Sequence, residues 1–308
     1  MRNINYNLNL APLKIESVCV GNLIENRIFD MVIYGDINQN ESCLFYFNVT
    51  YNSLLNKGDK NNLYFEYWNK SKSKRINYFL FSKISDEILV FNSQLNSFNK
   101  KSFENDLIDD ELYIEPTLTK SGNKLYGIIN YTGLKIFDLI KKEDENFLYP
   151  GKKNLLLDYI ISEERIIMCS SDQKLLLYDI RENNSEVSRR HKWLINNIAW
   201  ANNNHQSFYA YSENEEKIFL FDCRNLSQKT ETIKSNIIVE KFKFNEGNNN
   251  LYILEKESEA ILSIDKNKVE KIYELKDDIK TFEFSSDLKL LITVKSNNSI
   301  NIININKK

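Results

Sequence analysis

The sequence predicts an all-β repeat fold, a ring of seven four-stranded blades, and three observations lead to it. The first is a period. Six times the chain runs apolar residues into an acidic or amide residue, at Asn92, Asp138, Asp179, Asp222, Asp265 and Asn304, with intervals of 46, 41, 43, 43 and 39 residues. One strand recurring every 40 or so residues, with shorter β-runs and turn residues between, marks a propeller, and 308 residues hold about seven such units. The second is composition: 17 Tyr and 18 Phe with abundant Ile and only 3 Pro suit pleated, half-buried surfaces. The third is that helical periodicity is nowhere sustained.

Taken in order, the strands VCVGNL, DMVIYGDI and CLFYFNV before residue 60 do not complete a unit. In a closed ring the N-terminal strand commonly completes the last blade and removes the sheet edges, so Val18 to Leu23 is read as that closing strand. The next units read LYFEYW, INYFLF, EILVFN and then IEPTLT, KLYGII, LKIFDL. LLLDYIIS, RIIMCS, KLLLYDI follow, and then the most regular unit, WLINNIAW, SFYAYS, KIFLFD, QKTETI. The last two are IVEKFKF, NLYILE, AILSID and IKTFEF, LKLLITV, SINIIN. The third strand of each unit is apolar throughout, as expected where neighbouring blades cover both faces. A single domain over residues 1–308 is the expected organisation.

Lys+Arg at 41 against Asp+Glu at 43 gives a net charge of -2, which offers no overall field for nucleic acid. Cys19, Cys43, Cys169 and Cys223 show no paired spacing, so they read as small hydrophobes in a reduced compartment and not as metal ligands. No apolar run approaches the roughly 20 residues a membrane span needs. No Gly-rich phosphate loop is present among 8 glycines, and the sequence implies no cofactor. A hydrolase would need one of the two histidines, His191 or His205, beside a nucleophile and an orienting acid, and no motif of the sequence marks such a set, so a non-enzymatic protein is expected.

Asp172-Gln-Lys-Leu-Leu-Leu-Tyr-Asp-Ile-Arg-Glu-Asn-Asn184, His191, Asn196 and Phe221-Asp-Cys-Arg-Asn-Leu226 together resemble a pair of WD repeats. More narrowly they are similar to the retinoblastoma-binding, Msi-type histone chaperones, which include the small subunit of chromatin assembly factor. The resemblance covers about 55 residues well and the remainder in pattern only. It implies a seven-bladed WD-type β-propeller acting as a scaffold in a nuclear chromatin complex, with histones or other basic peptides as partners. The chain departs from the family where the repeat's Trp would stand: Phe91, Phe137, Tyr178, Phe221, Ile264 and Ile303 occupy those positions, so the indole donor is missing. Asp265 to Asp278 is also shorter than the family's late acidic loop.

Site residues follow from loop placement and from the resemblance. Connections between blades and second-to-third-strand turns emerge on one face of a propeller, and on this basis Asp110, Glu115 and Glu215 border an acidic mouth suited to Lys and Arg side chains. Lys152, Lys153, Arg189, Arg190 and Lys192 lie on connections to the same face, which is therefore mixed, while Lys70, Lys72, Lys74 and Arg75 are read as a first turn on the opposite side. The resemblance implies a peptide-contacting role for Asn196, with Glu240 at the matching position one blade later. Arg181 and Arg224, in Asp-x-Arg runs, follow a pattern that some WD proteins use to dock on a cullin ligase adaptor, while in others such an Arg braces its own blade. Two other functions stay open: an adaptor of another pathway, such as peroxisomal import or ribosome assembly, and an enzyme like the WD-type diphthine methyl ester hydrolases.

Overall fold

In the computed structural model the chain is all-β, with no helix among the described residues. These are residues 3–6, 14–25, 28–36, 41–51, 63–74, 78–81, 87–91, 95–99, 105–151, 154–182, 184–245, 249–256, 260–265, 268–274, 279–285, 290–295 and 300–304.

After β1 (Asn3–Tyr6) comes a first sheet of β2 (Lys14–Glu25), β3 (Ile28–Asp36), β4 (Glu41–Tyr51) and β5 (Leu63–Lys74). The second is β6 (Tyr78–Phe81), β7 (Glu87–Phe91), β8 (Leu95–Asn99) and β9 (Asn105–Asp109). The third is β10 (Tyr113–Leu118), β11 (Lys124–Ile129), β12 (Gly133–Asp138) and β13 (Glu143–Leu148). The fourth is β14 (Leu156–Ile161), β15 (Arg165–Ser170), β16 (Leu175–Asp179) and β17 (Asn184–Val187). The fifth is β18 (Asn197–Trp200), β19 (Ser207–Ser212), β20 (Lys217–Asp222) and β21 (Lys229–Ser235). The sixth is β22 (Val239–Asn245), β23 (Asn250–Glu255), β24 (Ala260–Asp265) and β25 (Lys268–Glu274). The seventh joins β26 (Ile279–Ser285), β27 (Leu290–Lys295) and β28 (Ile300–Asn304) to β1. Every pairing within these seven sheets is antiparallel between neighbours.

Three expectations for the first part of the chain are corrected. Val18 to Leu23 lies in β2, the first strand of a complete sheet, and the strand that pairs with β28 is β1, through Asn3 with Ile303 and Tyr6 with Ile300. Asn92 follows β7, a second strand, because the third strand of that sheet is the polar run LNSFN and not the apolar run that the spacing picked out. Lys70, Lys72 and Lys74 belong to β5 and not to a turn: Phe45, Cys43 and Glu41 of β4 pair with them.

The chain divides into two compact units, residues 1–111 with 277–308, and residues 112–276. In the first, β2 packs beside β6 and β26. In the second, β14 packs beside β18, and β18 beside β22. First strands thus neighbour first strands within each unit.

The cores of the second unit lie between successive sheets. Tyr126, Ile128 and Leu134 of the third sheet meet Leu156, Ile166 and Leu176 of the fourth. Ile167, Cys169 and Leu175 of the fourth meet Phe208, Phe219 and Phe221 of the fifth, and Tyr209, Tyr211 and Ile218 of the fifth meet Leu251, Ile253 and Leu262 of the sixth. Second and third strands are therefore covered on both faces, which is why KLYGII, RIIMCS and SFYAYS read as continuous apolar runs. Each such side chain contributes about 1.5–3 kcal/mol by leaving water.

Polar side chains tie each sheet of this unit to the next. The Tyr159 hydroxyl lies 2.6 Å from the Glu115 carbonyl and 3.0 Å from that of Tyr126. Trp200 Nε1 donates to the Ile161 carbonyl at 2.8 Å, and the Ile198 N–H donates to Asp158 Oδ2 at 2.8 Å. The Tyr211 hydroxyl accepts from the Val239 N–H at 3.1 Å. The connections repeat one device. In the third, fourth and fifth sheets a residue of the second-to-third-strand turn stands in the left-handed region, at Tyr131 (φ 58°), Gln173 (φ 65°) and Glu216 (φ 50°). Its carbonyl receives an N–H from the chain leaving the sheet, from Leu156 at 2.7 Å, His191 at 2.8 Å and Ile237 at 3.1 Å.

Gly133, which opens β12, has no room for a side chain: a Cβ there would stand 2.6 Å from the Leu148 carbonyl oxygen and press on the Phe147 ring. Gly133→Ala is expected to cost about 1–3 kcal/mol, the usual penalty of overpacking, because backbone must move. A denaturant midpoint unchanged from the parent would show that β13 yields freely.

Candidate functional site: the bulged first strands

A bulge places two residues of one strand opposite one of its partner, and so re-aims a side chain away from the regular alternation. In the second unit every first strand has one. β10 shifts register between Ile114 and Thr117, β14 between Leu156 and Asp158, and β22 between Val239 and Lys241. Ahead of β18 the Asn196 N–H donates to the Tyr211 carbonyl at 2.9 Å while Asn197 is the residue paired with Tyr211. The bulged residues are Glu115 with Pro116, Leu157, Asn196 and Glu240. Three of the five residues expected to contact a peptide thus occupy one structural position in three sheets.

Local chemistry explains these bulges. Pro116 has no N–H to give a ladder, and it stands where a strand can hold it, at a bulge of the edge strand β10. Glu115 before it sits at φ 50°, a conformation that costs a side-chain-bearing residue about 1–2 kcal/mol and is held here by the Tyr159 hydroxyl on its carbonyl. Glu115 and Glu240 are exposed; Asn196 is half-buried, and its Oδ1 accepts the Glu213 N–H at 3.0 Å, pinning the β19–β20 turn.

Beside this row stands a residue the sequence did not single out. Asp158, next to the β14 bulge, accepts the N–H of Tyr159 through Oδ1 and that of Ile198 through Oδ2, both at 2.8 Å. Burial pushes its carboxyl up to about 7 against the pull of those two donors, and the charge of Glu115 adds to the rise. The one signal was an acid interrupting the apolar run LLLDYII.

The remaining expected residues lie elsewhere. Glu215 is exposed in the β19–β20 turn and its Oε2 is 2.9 Å from Lys217 Nζ, a bond that holds its carboxyl below the usual range. Asp110 is exposed in the connection after β9 and belongs to the other unit. Arg181 folds back on its own turn, with Nη2 3.1 Å from Asp179 Oδ2 and Nη1 3.2 Å from Glu164 Oε1. Arg224 does the same with Asp222, Nε to Oδ1 at 3.0 Å and Nη2 to Oδ2 at 2.5 Å. Arg75, Lys152 and Lys153 lie outside the described residues.

Of the histidines, His191 is 7% exposed, its ring edge-on to Phe221 at 5.5 Å and stacked near Trp193 at 5.9 Å. Burial depresses its pKa, against a hydrogen bond to the Leu226 backbone. His205 lies in the β18–β19 turn with its ring 4.8 Å from that of Trp200. The turn carboxylate Asp172 is bonded to Ser170 and lies 2.7 Å from Lys174 Nζ, while His191 joins the same turn only through its backbone. No protein-family model matches the chain, and no curated protein matches it either.

Proposed function

We propose that the seven sheets are the blades of a WD-type β-propeller and that the protein is a non-enzymatic scaffold of the histone-chaperone kind, a subunit of a nuclear chromatin complex that grips basic peptide segments. The observation that carries this reading is the common position of Glu115, Asn196 and Glu240, each at the bulge of a first strand. In a propeller first strands line the central mouth, and bulges there turn side chains toward whatever enters it. Two carboxylates and an amide at equivalent places offer acceptors to Lys and Arg at a spacing set by the sheets.

Binding of a lysine- and arginine-rich histone-tail peptide, followed by fluorescence anisotropy, is expected to weaken as salt rises. Glu115→Gly removes one carboxylate at a position where φ 50° suits glycine, so folding is spared. Combined with Glu240→Gln it is expected to weaken the peptide at least tenfold. Binding that ignores both salt and the double substitution sinks the reading.

A further inference from the structure

Three of the five large hydrophobic side chains that stand exposed among the described residues gather at one end of the third sheet: Tyr131 at 49%, Tyr149 at 67% and Leu155 at 49%. Register brings them together. Leu134 pairs with Leu148, which sets Tyr149 one step past β13 and across from the turn that carries Tyr131. The Leu156 N–H on the Tyr131 carbonyl places Leu155 beside the same turn, and the Phe147 ring supports Tyr149 at 4.6 Å. Tyr131 also breaks a pattern. At the left-handed turn position that holds Gln173 and Glu216 in the next two sheets, an exposed aromatic is neither the residue the backbone favours nor one that water favours.

Charge adjoins this patch. Leu155 exchanges hydrogen bonds with Ser171, its N–H to the hydroxyl and its carbonyl from the Ser171 N–H, both at 2.9 Å. Two residues along that turn Gln173 accepts from Arg190 Nε at 3.0 Å. Arg189, Arg190 and Lys192 are exposed and form no ion pair among the described residues, whereas Arg181 and Arg224 are both committed to carboxylates. The acid of this turn, Asp172, is already neutralised by Lys174 at 2.7 Å.

We propose that Tyr131, Tyr149 and Leu155, with Arg190 and its neighbours Arg189 and Lys192, form a docking surface for an acidic peptide segment that carries bulky apolar side chains. Apolar residues of the partner cover the tyrosines and Leu155, and its carboxylates meet guanidinium and ammonium groups that form no ion pair among the described residues. The partner is opposite in charge to one held by Glu115 and Glu240, so the two surfaces fail or succeed separately.

A random peptide library displayed on phage and panned against the full chain tests this. Selected sequences are expected to be rich in Asp and Glu with Leu, Phe or Trp. A synthetic peptide of the selected sequence should bind at least tenfold more weakly to Tyr131→Ser/Tyr149→Ser/Leu155→Ser and to Arg189→Glu/Arg190→Glu. The charge variant alone decides should the triple variant fail to fold, as judged by its melting curve. A histone-tail peptide should be held no more weakly by either variant than by the parent. Selected peptides that are basic, or whose affinity neither variant changes, overturn the proposal. So does binding of the patch to phosphatidylserine vesicles without binding of any acidic peptide.

Discussion

Phe221→Ala is expected to lower the stability of the second unit by about 3–5 kcal/mol, the cost of deleting a buried aromatic ring and leaving its cavity. Phe221 is 0% exposed, stacks on Phe208 at 5.3 Å and takes the edge of His191 at 5.5 Å. It sits where the fourth and fifth sheets share a core with Ile167, Cys169 and Leu175, so its loss is felt on both sides. The position is also one where a WD repeat would carry Trp. Introducing that residue is not a gain here: Phe221→Trp forces extra ring atoms into a filled site, for about 1–3 kcal/mol of destabilisation. Denaturant titration of the two variants checks both signs, and a Trp variant more stable than the parent would show that the site keeps room for an indole.

Asp158→Ala is the second large effect. It removes the acceptor of the Ile198 N–H, the bond that crosses from the fourth sheet to the fifth, and leaves that donor with no partner at the packed edge of β18. An orphaned buried donor costs about 1–3 kcal/mol, and loss of the local bond to Tyr159 adds to it. The same carboxyl makes stability depend on pH. Its folded-state value of about 7 lies above the ordinary 3.8, so the folded chain binds this proton more tightly than the unfolded one. Its contribution is full below pH about 4 and is lost as pH rises through about 7. Asp158→Asn removes the titration and is expected to flatten the fall in stability across that window. An unchanged slope from pH 4 to 7 would assign the dependence to other groups.

Much of this was legible in the sequence from residue 112 to 276. Third strands ending at Asp138, Asp179, Asp222 and Asp265 are buried on both faces, so their apolar runs stand out and their spacing survives. The first hundred residues misled because strands of the opposite kind carry no such run. β8 reads LNSFN, with polar residues at three of five positions, and β1 reads NINY, alternating polar with apolar, while the apolar run that the spacing picks out is β7. Asn196, Glu240 and Glu115 could be named from a motif and from charge, but their common bulge could not, because a bulge is a property of two strands paired and not of one read alone. Asp158 and Tyr159 do not stand out in the sequence for a similar reason: what they hold, the Ile198 N–H and the Glu115 carbonyl, lies about 40 residues away along the chain.

The most direct measurement of the central claim replaces Asn196 with the photoreactive residue benzoylphenylalanine and illuminates the protein with a labelled histone-tail peptide. If the first-strand bulges line a mouth that takes basic peptides, a covalent adduct forms at position 196 and fades with rising salt, while the same replacement at Arg181, on a turn outside the mouth, gives none. No adduct at 196, or equal yields at 196 and 181, would contradict the account.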